Sequence, residues 1–420
     1  LRAGGGGVLG PGAAPPPEAG LEGVDLFDPR FHGEGDPHAV WARMREHAPL
    51  HRQTLPDGRA FWSVTRHADA CRVLGEHRTF TSERGSLLMQ LGTPDAASGR
   101  MLVATDPPRH TALRRPLNRL FAGPALHAAE DRVRRAVRSV LAPAAREGRW
   151  DLARRAGLLP MAVAGALMDL PEEDGERLLH WTGMAAAPED PDFRVASAGA
   201  TLAVAHHRLF AYFTDLVARR RGTEGEDAVR LLLSMRTDEG PLSDEEAVVN
   251  CYSMLLGANA TTPHAVAGTV LALMEHPEQY AAVREDRSLV PGLVEEGLRW
   301  TSPASSFLRY AVVDAELSGG VVPAGDAVAV WVGSANRDER VFADPYRFDV
   351  RRTDNRHLAF GFGPHYCLGA AVSRLTLRIF FEEALDAVEE FRPAGRPRHL
   401  VSNFVAGLAE LPVRTRPRRD

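Results

Sequence analysis

Apolar residues recur at helical spacing over residues 35 to 50 and again over 66 to 78, and the short FWSV between them, behind the turn-forming Pro56-Asp57-Gly58, reads as a strand. From about 107 to 395 most long segments carry the 3.6-residue period. Ser243-Asp244-Glu245-Glu246 has the capping-box form and opens a helical pattern that runs to about Glu275. At 1.5 Å per residue that predicts a helix of ~45 Å, enough to cross the domain. AVVDAELSGGVVPAGDAVAVWV, residues 311 to 332, alternates and turns like a small sheet. After it the chain is mostly loop to 366, and LGAAVSRLTLRIFFEEALDAV is helical again. The pattern predicts a mainly α protein with a minor β region, without repeats or a clear linker, as a single domain over 25–420. The Gly/Ala/Pro-rich stretch ahead of it, residues 1–24, is expected to be a disordered tail, because it has neither the basic nor the apolar region of a signal peptide. No run approaches the ~20 apolar residues of a membrane span. LLPMAVAGALM, at 158 to 168, is short enough for a core helix.

Composition narrows the function classes. With 44% hydrophobic and 25% charged residues the chain has the balance of a soluble globular protein. A formal net charge of −5 gives no basic footprint for nucleic acid. All 50 cationic side chains are arginine, which reads as codon bias in a GC-rich, bacterial genome. Cys71, Cys251 and Cys367 lie too far apart for a disulfide framework or a CxxC zinc pattern, and a reducing cytoplasm is the simple expectation.

Cys367 stands in FGFGPHYCLG, residues 360 to 369, immediately before a helical segment. A thiolate is a strong ligand only when deprotonated, and the positive end of a helix helps to keep it so. Gly361 and Gly363 allow a tight turn that aims backbone N–H groups at the sulfur. Taken alone, a cysteine at a helix start reads equally as a small buried hydrophobe. His365-x-Cys367 has no second pair of ligands nearby, which argues against zinc.

FGFGPHYCLGAAVSR as a whole resembles the haem-binding signature of the cytochrome P-450 superfamily, Phe-Gly-x-Gly-x-His-x-Cys-x-Gly ending in a helical Arg. The resemblance extends over roughly residues 25 to 415 and implies that family's fold, with Cys367 as the axial metal ligand of haem b. It implies further that Phe360 packs beside the cysteine, that Gly361 and Gly369 permit close approach of the macrocycle, and that His365 reaches a propionate.

Glu296 and Arg299, three apart in EEGLRW, share a helix face, which by itself is a solvated pair of little worth. They resemble the family's Glu-x-x-Arg motif, and DPYRF at 344 to 348 resembles the segment that completes a buried Glu-Arg-Arg network, with Arg347 as third member. DPPRHTALRRPLNRLF, 106 to 121, resembles the helix beneath the haem. Its His110 and Arg114, four apart, suit an anionic propionate, as does Arg309 in SSFLRY. ANRDERVF at 335 to 342 matches a further family segment.

LGANATTPHAV, 256 to 266, resembles the oxygen-activation motif, commonly Ala-Gly-x-acid-Thr-Thr. That resemblance makes Thr261 the residue that hydrogen-bonds dioxygen and organises proton delivery, although a helical threonine also bonds back to the carbonyl four residues earlier. The chain departs from the motif at the acid. Ala260 holds no proton, and Asn259, the other candidate catalytic residue, is a poor acid. Protons are then expected through water or through a substrate group. Pro263 lacks an N–H for the Asn259 carbonyl and is expected to kink the helix.

The resemblance implies a bacterial haem-thiolate monooxygenase that inserts one atom of the co-substrate dioxygen into a hydrophobic natural product, as in antibiotic or other secondary metabolism. Electrons would come from a ferredoxin and its reductase, and the substrate would be a free small molecule or one tethered to a carrier. Neither nucleic acid nor membrane is an expected partner. Substrate contacts are expected at 86 to 94, Leu167 to about Leu202, Ala304 to Phe307, and Asn403 to Val405. Arg109, Arg114, Arg115 and Arg374 are expected to face an acidic ferredoxin. The missing acid also fits an oxidation without oxygen insertion, such as phenol coupling, and a non-enzymatic haem-binding protein is the third reading.

Overall fold

The computed structural model describes residues 21, 23–121, 123–146 and 148–418. The expected tail over 1–24 lies largely outside the described residues. At the start of the described chain, Asp28 and Asp36 cap helices Pro29–Glu34 and Pro37–His47, each accepting a backbone N–H at a first turn that carries proline.

The main sheet has five strands: β1 (Leu50–Thr54), β2 (Ala60–Val64), β3 (Phe80–Thr81), β4 (Ser306–Ala311) and β5 (Ala327–Trp331). Their order is β1-β2-β5-β4-β3, with β2 and β5 parallel and the other pairs antiparallel. β5 is buried throughout, as a central strand should be. β1, LHRQT, is a polar edge strand, which is why its hydropathy did not announce it.

Apart from one three-stranded and three two-stranded sheets among the described residues, helices form the rest of the body. Those that frame the site are α1 (Arg109–Leu117), α2 (Asp244–Asn259), α3 (Thr262–Glu275), α4 (Val290–Thr301) and α5 (Ala370–Ala387). The apolar faces of α3, α4 and α5 meet the helix Gly123–Leu141 in one core that includes Val270, Leu293, Leu298, Phe380 and Phe381. Each such side chain, fully buried, contributes ~1.5–3 kcal/mol. LLPMAVAGALM forms the helix Leu158–Met168, packed against a second core around α2. Among the described residues no helix is long and apolar enough to cross a membrane.

The predicted long helix is two. The capping box is present: Ser243 Oγ accepts the Glu246 N–H, and Glu246 Oε2 accepts the Ser243 N–H at 2.8 Å. α2 ends at Asn259, and Thr261, at φ −126° and ψ −47°, starts α3 as its N-cap. Pro263 therefore sits in the first turn of a new helix, where its missing N–H costs little, and the expected kink has become a full break.

Candidate active site

Cys367 lies between the 3₁₀ turn Gly363–His365 and the start of α5. Its N–H donates to the Phe360 carbonyl at 2.8 Å, closing the loop. Gly361 and Gly363 have φ of +72° and +70°, and a Cβ on Gly363 would fall 2.6 Å from the Gly75 Cα, so this turn needs glycine on both counts. Phe360 is buried beneath the loop, with the Arg374 guanidinium 4.6 Å from its ring centre. Arg374 in turn is held by Glu295, at 2.7 and 2.8 Å, and by the Tyr366 hydroxyl at 3.0 Å.

One expectation needs correcting. Cys367 is exposed above the loop, yet the protein packed around its sulfur raises the thiol above its ordinary pKa, with the Gly369 backbone, Arg114 and Arg374 opposing that. The helix start alone does not ionise the sulfur. A coordinating metal cation does, since a bound thiol is deprotonated outright. Cys71 is pushed up to about 11 and buried Cys251 higher still, so neither is a reactive thiol.

The predicted propionate residues come together. His110 is 2% exposed and its Nε2 is buried without a partner, while its ring centre lies 4.3 Å from that of His365. Burial lowers His110 to about 3, with His365 and Arg114 adding to the effect. Arg309, on β4, is buried with only Asp106 as an anionic influence, and burial brings it down to about 10. Arg114, half-buried on α1, faces Cys367 closely enough that the two charges interact. Neither Arg114 nor Arg309 forms an ion pair among the described residues. Two cations without carboxylates and an orphaned imidazole nitrogen, set around a cysteine, form a donor set completed by a dianionic macrocycle edge. The residues present fit haem.

A carboxylate in this region escaped the sequence reading. Asp106 accepts from Ser82 Oγ at 2.6 Å and Thr81 Oγ1 at 2.5 Å, and Ser82 Oγ in turn meets His365 Nε2 at 2.9 Å. Burial alone would raise Asp106, but the nearby His365 imidazole, 3.9 Å away, and the hydrogen bonds from Ser82 and Thr81 hold it well below the usual carboxylate range. Its only sequence signal is its place directly before Pro107-Pro108.

Glu296 and Arg299 on α4 are both 0% exposed and joined by two contacts of 2.7 Å. The third arginine is Arg352, not Arg347. Arg352 Nε reaches the Glu296 carboxylate at 3.1 and 3.2 Å, and Asn355 Nδ2 joins at 3.1 Å. The Arg347 side chain is 65% exposed and lies 3.9 Å from Asp349. Only its carbonyl enters the network, accepting from Arg299 and Arg352. The cause is local alternation: Phe348 is buried in the core, which turns the side chain of its neighbour outward.

On the other side of the site Thr261 Oγ1 donates to the Gly257 carbonyl at 3.2 Å, and a Cβ on Gly257 would meet nothing within 4 Å, so this face of α2 borders open space. Asn259 is placed otherwise. Its Nδ2 donates to Thr182 Oγ1 at 3.1 Å and lies 3.4 Å from Met161 Sδ. Residues two apart on a helix do not share a face, so the expected catalytic Asn259 packs between helices while Thr261 faces the site.

All four predicted substrate stretches reach one apolar cluster. Leu87, Ala186, Phe193, Phe307, Phe404 and Val405 gather around Ala260 and Leu256 at the end of α2. Of the four arginines expected to face a ferredoxin, Arg109 pairs with Glu239 and Glu246 and Arg374 with Glu295, Arg114 is half-buried, and Arg115 is exposed.

A family model described as Cytochrome P450 matches residues 205–392. Cytochrome P450 NovI of Streptomyces niveus is 34% identical over 94% of this chain and 97% of its own length. Cytochrome P450 monooxygenase PikC of Streptomyces venezuelae is 35% identical over 92% of each. The crystal structure of P450 OxyD, involved in the biosynthesis of vancomycin-type antibiotics, superposes with a TM-score of 0.84 at 33% identity, covering 94% of this chain and 100% of that one. The chain belongs to the cytochrome P450 family and is a monooxygenase, a haem-thiolate enzyme that uses dioxygen.

Proposed function

We propose that this enzyme hydroxylates a C–H bond of a medium-sized hydrophobic secondary metabolite, holding haem b through Cys367 and receiving electrons from a ferredoxin and its reductase. The observation that carries the substrate class is the apolar cluster around Ala260, to which four distant stretches contribute. OxyD's place in antibiotic biosynthesis agrees with that class. When bound, haem supplies the activation of dioxygen.

The chain's own residues do the rest. Cys367 ligates the iron, with Phe360 beside it and with Gly361 and Gly369 leaving room for the ring. Arg114, Arg309 and the two imidazoles of His110 and His365 hold the propionates. Thr261 holds a proton at Oγ1 beside the oxygen site. Leu87, Phe193, Phe307 and Phe404 exclude water and orient the substrate.

The test is the spectrum of the reduced protein under carbon monoxide, followed by product mass under labelled dioxygen. A strongly red-shifted Soret band, lost in Cys367→Ser, together with one labelled atom in the product, supports the proposal. Because Ala260 removes the usual acid, coupling without insertion is the second reading, and product without label decides for it.

A further inference from the structure

A cavity of about 110 Å³ lies between the first helices of the described chain, α3, the end of α4 and residues 399 to 408. Its walls include His32, His38, His264 and His399 together with Trp41 and Trp300. Four imidazoles suggest a metal, yet among the described residues no group of three or more potential ligands is arranged to hold one. Their hydrogen bonding points elsewhere. Trp41 and Trp300 are 2% and 1% exposed, and the indole N–H of each, a donor only, has no partner. His32 Nε2 must carry its proton to donate to the Leu26 carbonyl at 2.9 Å, so its Nδ1, buried and unpartnered, is an acceptor. Burial lowers His32 and His264 to about 4, and His38 and His399 also lie below the ordinary histidine value, so these four imidazoles are uncharged at neutral pH, while Asp36 brings a carboxylate to the lining. A chamber of this volume, lined by neutral imidazoles and by orphaned donors and acceptors, is complementary to a cluster of waters.

The chamber begins at half-buried Gly35 and Asp36 and ends on α3 at His264, Gly268 and Leu271. Thr261, the N-cap of α3, stands three residues ahead of His264 and its carbonyl accepts the His264 N–H at 3.1 Å, so the inner end of the chamber lies about one helical turn from Thr261. Gly407 is what admits the inner imidazole, because a Cβ there would lie 2.4 Å from the His264 ring. The Leu408 backbone opposes, in part, the effect of burial on the His264 ring. At the same break Pro263 offers the Asn259 carbonyl no N–H.

We propose that this chamber is a hydrated proton inlet ending at the break between α2 and α3, which brings to Thr261 the protons that Ala260 does not relay, with His264 as the positioning residue at its inner end. The inference rests on the monooxygenase reading of Thr261. Inserting one oxygen atom and reducing the other to water consumes two protons and two electrons for each dioxygen. The electrons come from the redox partner, and the inlet carries the protons from solvent.

Hydroxyl-radical footprinting of the holoenzyme tests the water directly, because radiolysis oxidises buried side chains that touch ordered water. Trp41 and Trp300 are expected to label well above Trp331, which is 0% exposed and whose Nε1 is satisfied by Ser63 Oγ at 3.0 Å. Equal labelling of all three overturns the proposal whatever the activity. His264→Leu should raise the peroxide share of turnover roughly tenfold, less than the ~10²–10⁴-fold a proton-transfer group contributes, since some water still reaches the break. His264→Gln, which restores a polar atom, should reverse this, and the solvent deuterium isotope effect on product formation should rise and fall with it. A packing defect does not move the isotope effect. Labelled tryptophans with an unchanged peroxide share in His264→Leu would show a wet chamber that is not an inlet. If the wild type inserts no labelled oxygen, the monooxygenase reading fails and the inlet's role goes with it, whereas the footprint still reports the water.

Discussion

Replacing Arg352 by alanine should destabilise the fold, and replacing Arg347 should not. Arg352 is 9% exposed and reaches the Glu296 carboxylate through Nε, while its terminal nitrogens donate to the carbonyls of Ala343, Asp344 and Arg347 at 2.6 to 3.1 Å. Alanine removes those bonds but leaves the Arg299–Glu296 pair intact, so the loss stays below the ~3–5 kcal/mol of a broken buried pair. One hydrogen bond to a charged group is worth ~1.5–3 kcal/mol, and about 3 kcal/mol is a reasonable total for the site. For a chain of 420 residues, ~2.1 cal/mol/K of unfolding entropy per residue converts this into a fall of about 3–4 °C in Tm. Arg347 is solvated and 3.9 Å from its only carboxylate, so Arg347→Ala should leave Tm unchanged. Thermal unfolding of the haem-loaded protein at equal saturation measures both. Equal losses in the two variants, or none in Arg352→Ala, would falsify this assignment of the network.

His110→Ala and Arg309→Ala should each speed haem transfer to an apoglobin acceptor by ~10–100-fold, the usual effect of removing a group that supports a metal cofactor; unchanged transfer would separate these residues from the propionates. Thr261→Ala should raise peroxide release, whereas Asn259→Ala should cost some stability through Thr182 with the ratio of product to peroxide preserved, and the reverse pattern would return Asn259 to the catalytic set. Glu295 is opposed by burial but brought down to about 2 by Arg374 and His357. A depressed carboxylate stabilises the fold above its unfolded pKa of ~4.3, and that contribution is lost as pH falls through about 2. Glu295→Gln should therefore flatten the stability profile between these values, and a parallel profile would mean that the Arg374 pair contributes nothing.

Much of the site was legible in the sequence because its chemistry is local. A glycine-bracketed cysteine, a His and an Arg four apart on one helix, and an acid and an Arg three apart on another each carry their geometry in their spacing. What escaped depends on contacts across the chain. The choice of Arg352 over Arg347 is made by the burial of Phe348, which only the folded core decides. Asp106 became part of the site through Ser82 and Thr81, 24 and 25 residues away. The strand LHRQT has no apolar alternation to show, since its place comes from pairing with β2. The break after Asn259 was half-visible. Proline announced a disturbance, but only the structure shows that it serves as the start of a second helix.

The register of β4 limits how this enzyme can evolve. Phe307 pairs with Val330 and Arg309 with Val328, so on the proposed reading the strand that offers a side chain to the substrate also offers one to the cofactor, two residues along on the same face. A substitution at Phe307 can reshape specificity while Arg309 stays in place. An inserted or deleted residue just ahead of Arg309 would turn both side chains to the opposite face together. Lineages of this fold can therefore explore new substrates here by exchanging side chains, while changes of length must be confined to the turns at either end.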